Sequence, residues 1–145
     1  MNEINITGGC LCGAVRYQSR AAPTTARFCW CRLCQYLGGG SGTVSVIFPV
    51  GTFSISGTPT DYQDIADSGN RMHRMFCGRC GTPLFSTAES RPHLIVARAG
   101  TLDDPEIAKP SMTIWTASAP SWACISSELP QIPGQPPPPA TPSAG

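Results

Sequence analysis

Apolar and polar residues alternate in short runs from Gly8 to about Ser86, and Gly, Pro or Asn breaks nearly every run. A period of two interrupted by turn residues is the mark of an antiparallel β domain. Residues 15–18, 43–48 and 53–56 are the first expected strands. Ser68-Gly69-Asn70 has the turn chemistry to join a strand over 62–66 to one over 71–76, which predicts a hairpin running into Cys77. HLIVARA, residues 93–99, predicts a further, mostly buried strand. Helix signals are scarce. The segment after Cys31 makes at most a short turn before Gly38-Gly39-Gly40 ends it, and Asp103-Asp104-Pro105-Glu106 has an Asp cap and an early Pro for a single turn. From Pro130 the chain is Pro-rich and nearly devoid of apolar side chains, so 130–145 is expected as an extended or disordered tail and 1–129 as one β domain.

Composition narrows the function. Of 145 residues only 13% are charged, against about 25% in ordinary soluble domains, while Gly and Pro number 15 each, as a turn-rich β chain requires. The formal net charge is +1 and the Lys and Arg residues are scattered singly, so no basic stripe exists to neutralise a phosphate backbone, and nucleic acid is excluded as the expected partner. No apolar run is long enough to span a bilayer, and MNEINITGGCLCG has no stretch of signal-peptide length, which leads us to expect a cytoplasmic protein with no membrane partner. In that reducing compartment, clustered cysteines are metal ligands more often than disulfides.

Seven of the eight cysteines fall into three clusters: Cys10 and Cys12; Cys29, Cys31 and Cys34; Cys77 and Cys80. A Cys-x-x-Cys turn converges two thiolates on one ion and points the intervening N–H groups at sulfur. Structural zinc takes four ligands, usually as two pairs from distant parts of the chain. Pairing Cys10 and Cys12 with Cys77 and Cys80 closes one such site and clips the start of the chain to the hairpin. Cys29, Cys31 and Cys34 remain. Three protein ligands with an open position are how catalytic zinc is arranged, although Cys124 or a histidine joining the trio would close it as a second structural site. Three thiolates leave a divalent ion electron-rich and suited to a soft ligand, so a small thiol substrate is the expected partner. Arg27, Arg32 and the loop N–H groups near Gly38 to Gly42 are candidates to offset the negative charge.

These residues resemble the glutathione-dependent formaldehyde-activating enzyme family, which includes the centromere protein V type domain and has a mainly β, β-tent (Mss-four-like) fold. The resemblance rests on GGCLCGAVRY, CWCRLCQ with its Gly-rich loop, FCGRCGTPLF and RAGTLDDPE. It implies a structural zinc on Cys10, Cys12, Cys77 and Cys80, a labile catalytic zinc on Cys29, Cys31 and Cys34, and a carbon-sulfur lyase activity that joins or separates a glutathione thiol and an aldehyde. Trp30 and Gln35 stand where the commoner family motif has a histidine and a basic residue.

Among other residues, Trp30 neighbours the presumed ligands and is a candidate pocket wall, whereas Trp115 and Trp122 read as core. Ser41 and Thr43 follow the glycines and could hydrogen-bond a substrate. Arg71, Arg74 and Arg98 have the bidentate chemistry for a substrate carboxylate, or sit on solvated strand faces. Lone Cys124 reads as a buried apolar residue, and His73 and His93 as surface or hydrogen-bonding residues. An enzyme is the leading reading. A zinc-stabilised binding module is the alternative, and a zinc-buffering or redox-sensing protein is a third.

Overall fold

The structure, a computed structural model, describes residues 3–66 and 68–137. Its strands in chain order are β1 (Ile6–Gly9), β2 (Arg16–Ser19), β3 (Thr25–Cys29), β4 (Thr43–Pro49), β5 (Phe53–Ser56), β6 (Thr60–Ile65), β7 (Arg71–Phe76), β8 (Pro83–Ala88), β9 (Leu94–Arg98), β10 (Thr113–Ile114) and β11 (Gln131–Ile132). One α-helix, α1 (Arg32–Leu37), lies among the described residues, with 3-10 turns at Val50–Thr52, Ala99–Thr101, Pro105–Ala108 and Thr116–Ser118. The expected strands are present to within a residue or two, the hairpin is β6–β7, and Asp104 caps the Pro105–Ala108 turn by accepting from the Glu106 N–H.

The strands form two sheets, β1-β2-β5 and β11-β10-β3-β4-β9-β8-β7-β6. This is the mainly β architecture expected. Pairing is antiparallel except at one edge, where β10 runs parallel to both β3 and β11. Two-residue strands carry no periodicity, so this edge left no signal in the sequence. The segment assigned to a tail from residue 130 is paired to the domain at its start, through Gln131–Ile132 against Thr113–Ile114 and a Trp115 Nε1 donation to Gln135 Oε1 at 3.0 Å. Residues 138–145 of that assignment lie outside the described residues.

Aromatic side chains lock the sheets together. Tyr17 of β2 stacks on Phe53 of β5 and meets Phe85 of β8 edge-on, both at 5.2 Å, and Phe53 also contacts Phe48 of β4. Phe48, Leu84, Val46 and Ala97 at the centre have no exposed surface. The Tyr17 hydroxyl reaches Thr101 Oγ1 at 2.7 Å. Gly8 makes that approach possible, because a Cβ there would lie 2.4 Å from both the Thr101 carbonyl and the Tyr17 hydroxyl. The RAGTLDD segment is thereby held against β1, and its first residue, Arg98, ends β9.

Candidate active site

Two cysteine groups converge in the structure. In the first, the loop after β1 brings Cys10 and Cys12 to Cys77 and Cys80, which lie on the knuckle between β7 and β8. All four sulfurs are within 4.8 Å of one another, and Cys12 Sγ lies 3.7 Å from both Cys10 Sγ and Cys77 Sγ. A tetrahedral zinc site with Zn–S of about 2.3 Å sets its sulfurs about 3.8 Å apart, so the spacing fits. Backbone N–H groups also aim at sulfur: Val15 donates to Cys10 Sγ at 3.3 Å and Arg79 to Cys77 Sγ at 3.4 Å. Proton affinities in the group diverge. The Thr82 hydroxyl, followed by backbone N–H groups, pulls Cys80 down to about 5. The Ala14 N–H favours a Cys12 thiolate, but burial and the neighbouring sulfurs outweigh it and raise Cys12 to about 11. Without a cation the sulfurs share protons, and a divalent ion would replace them.

Cys29, Cys31 and Cys34 form the second group, again with sulfurs within 4.8 Å. Cys29 ends β3, and Cys31 is the N-cap of α1, its sulfur accepting from the Cys34 N–H at 3.4 Å in the role usually taken by Ser or Asp. One helical turn then returns Cys34 to the same point. The Gly38 N–H closes the helix on the Cys34 carbonyl at 2.8 Å. Within the trio, hydrogen bonds from Cys29 and Cys31 hold Cys34 well below the ordinary thiol range, with the Arg98 charge assisting, while the same contacts push Cys29 up.

Beside the trio opens a cavity of about 430 Å³, lined in part by Leu37, Thr43, Thr82, Pro83, Arg98 and Thr101. Both cysteine groups touch its wall. Thr82 Oγ1 lies 3.1 Å from Cys80 Sγ and accepts from the Leu11 N–H at 3.1 Å, while Arg98 Nη1 lies 4.0 Å from Cys34 Sγ. The Thr43 hydroxyl is buried with no hydrogen-bond partner.

Of the residues singled out for substrate binding, Arg98 and Thr43 line the cavity, and Arg98 Nη1 also lies 4.0 Å from Cys34 Sγ. Arg98 is 9% exposed, which corrects the solvated strand face considered for it, whereas Arg71 is exposed and Arg74 pairs with Asp64 at 2.8 Å. Trp30 is buried behind the loop, stacked on Phe28, and Ser41 is exposed; neither lines the cavity. Arg27 is buried with its Nε unpaired, while Arg32 is exposed and bonds Gln35. Gln35 is buried and brackets the loop, donating to the Trp30 carbonyl at 2.8 Å and the Ser118 carbonyl at 3.1 Å. Cys124 is exposed and belongs to neither group, contrary to the buried position expected for it, because 119–129 contains no strand to cover it. Trp122 is also exposed rather than core, and Trp115 is half-buried. His73 bonds Asp61 and Glu89, and His93 is exposed. Thr82 and Thr101 are the site residues that sequence reasoning missed. Their only signal was adjacency to Cys80 and to RAG.

Three comparisons with known proteins bear on this site. The model of the glutathione-dependent formaldehyde-activating enzyme family matches residues 5–118, which include both cysteine groups and Arg98 and exclude Cys124. A crystal structure of a protein from Rhodobacter sphaeroides is similar over 67% of this chain and 87% of that one, with 22% identity and a TM-score of 0.54, a likeness of fold. No curated protein matches the sequence.

Proposed function

The chain belongs to the glutathione-dependent formaldehyde-activating enzyme family, and on that premise we propose that it is a zinc-dependent enzyme of carbon-sulfur lyase type acting on a thiol and a small aldehyde. In this reading Cys10, Cys12, Cys77 and Cys80 hold a structural zinc. Cys29, Cys31 and Cys34 hold a second zinc with one position open. The observation that carries the reading is the convergence of the trio beside a cavity, with no fourth His, Cys, Asp or Glu joining it among the described residues. Bound there, the ion would supply the positive charge that lets a thiol react as thiolate at neutral pH.

The chain's own residues account for the rest. The cavity size falls in the range of about 300–1,000 Å³ usual for small ligands. Leu37 and Pro83 give it apolar walls, and Arg98, Thr82 and Thr101 supply polar groups along its lining. In addition, the thiol gives up its proton, a sulfur lone pair forms the S–C bond, and the carbonyl π pair moves to oxygen, which takes a proton. The reverse reaction breaks the S–C bond and returns thiol and aldehyde. The family description supports glutathione as the thiol. Eight free cysteines accord with a reducing cytoplasm. No helix among the described residues is long and apolar enough to cross a membrane.

The test is cobalt substitution followed by titration with glutathione. A change in the visible absorption of one of the two metal sites is expected. An unchanged spectrum would leave a zinc-stabilised binding module as the better reading, with exposed Trp122 and Tyr36 as its contact surface.

A further inference from the structure

We propose that Arg98 is a positioning residue that makes the thiolate trio receptive to a further anionic ligand, by balancing the trio's charge through Cys34. The inference rests on the open position proposed above and specifies what that position accepts.

Charge counting sets the problem. Three thiolates around a divalent ion sum to −1, and a substrate thiolate would bring the centre to −2. Cys29 and Cys34 are only 6% and 5% exposed, so solvent screens little of that charge. An unbalanced site would repel the ligand the reaction needs.

Arg98 meets this need by its surroundings. Its guanidinium is buried, and besides Cys34 it contacts only neutral hydroxyls, with Nη1 donating to Ser45 Oγ at 2.9 Å and Nη2 to Ser86 Oγ at 3.4 Å. The ion pairs among the described residues engage Arg16, Arg74 and His73 with carboxylates elsewhere, and none includes Arg98. A buried guanidinium without a carboxylate is costly unless another anion answers it. Cys34 Sγ, at 4.0 Å, is the anion-forming group within its reach.

Sheet geometry holds the arrangement. Ser45 pairs with Arg98 on one side and with Arg27 on the other, while Cys29 pairs with Thr43 two residues along the same face. Two buried guanidinium groups therefore flank the face that carries the trio's first cysteine. Arg98 also lines the cavity, so an arriving thiolate meets its field before it meets the sulfurs. A neutral ligand gains nothing from this.

The experiment uses the full-length, cobalt-loaded protein and two probes read by visible absorption, 2-mercaptoethanol as the thiolate and imidazole as the neutral ligand. Arg98→Met should weaken thiolate binding about tenfold or more while moving imidazole binding by less than about threefold, and Arg98→Lys, which keeps the charge, should hold both within about threefold. Equal weakening of both probes in Arg98→Met would make Arg98 merely structural and overturn the proposal. A collapsed thiolate-to-imidazole ratio in Arg98→Lys would also overturn it, and that ratio decides the matter if Arg98→Met does not fold. A wild-type protein that answers neither probe lacks the open position, and the lyase reading falls together with this one. A wild type that binds both probes, with a ratio unmoved in Arg98→Met, sinks only the role of Arg98.

Discussion

Cys31 and Cys80 are both cysteines beside a candidate metal, yet their loss should differ in kind. The trio's ligands span only six positions, from the end of β3 into α1, so an ion there closes almost no chain. The quartet joins residues 10 and 80 across the fold. Structural zinc sites contribute on the order of 10 kcal/mol to folding. We expect Cys31→Ser to lose one equivalent of zinc and all turnover with its circular dichroism unchanged, and Cys80→Ser to unfold; metal analysis with circular dichroism checks both. Equal unfolding would show that the trio is structural too. At Gly8 the constraint is steric. Gly8→Ala must displace the Thr101 carbonyl or the Tyr17 ring, at a cost of about 1–3 kcal/mol measurable as a lower denaturant midpoint.

Among elements, the β6–β7 hairpin has its own pH dependence. His73 Nδ1 lies 2.8 Å from Asp61 of β6, and its Nε2 lies 2.8 Å from Glu89 just beyond β8. Only the imidazolium donates from both nitrogens, so Asp61 first and Glu89 second raise its pKa above the ordinary 6.5. A raised folded value means that the stabilisation is complete below 6.5 and lost as pH climbs through the folded pKa. Thermal melts should therefore fall more steeply as pH rises above 6.5 in wild type than in His73→Gln, and parallel curves would rule the contribution out. Asp103 behaves oppositely. Arg16 and then Thr7 hold it below its ordinary 3.8, so its contribution in tying β1 and β2 to the RAGTLDD segment is present above that value and lost as pH falls below it.

For the whole molecule, packed aromatic rings join the two sheets, and Thr82 joins the quartet to the cavity wall. Phe85, 2% exposed, touches Tyr17 and Phe53 from the other sheet, so Phe85→Ala should cost about 3–5 kcal/mol and loosen the sheet-to-sheet contact along with the cavity wall beyond β9. Chelation should act in two stages. Metal at the three-ligand trio should leave first, with folding retained, and the transition to unfolded chain should follow loss of metal from the quartet. Metal content and circular dichroism recorded on the same samples separate the stages; a single concerted loss would contradict the division of labour.

What the amino-acid sequence determined by itself was local: which sulfurs can share an ion, since Cys-x-x-Cys turns fix their ligands within a few residues; where Gly and Pro break the chain; and the strand over Phe53–Ser56. The expected strands leave out residues 25–29, although Thr25-Ala26-Arg27-Phe28 alternates polar and apolar; that both Ala26 and Arg27 are buried there, on opposite faces, follows from the strand pairing. The two-residue strands β10 and β11 are too short to carry a pattern at all. Tertiary structure alone decided that Arg98 is buried beside Cys34, that Thr82 and Thr43 share one cavity with it, and that Trp30 stands behind the site. The reason is that each of these positions depends on pairing between strands far apart in the chain, with Ser45 fixing Arg98 and the knuckle fixing Thr82, and no window of sequence contains both partners.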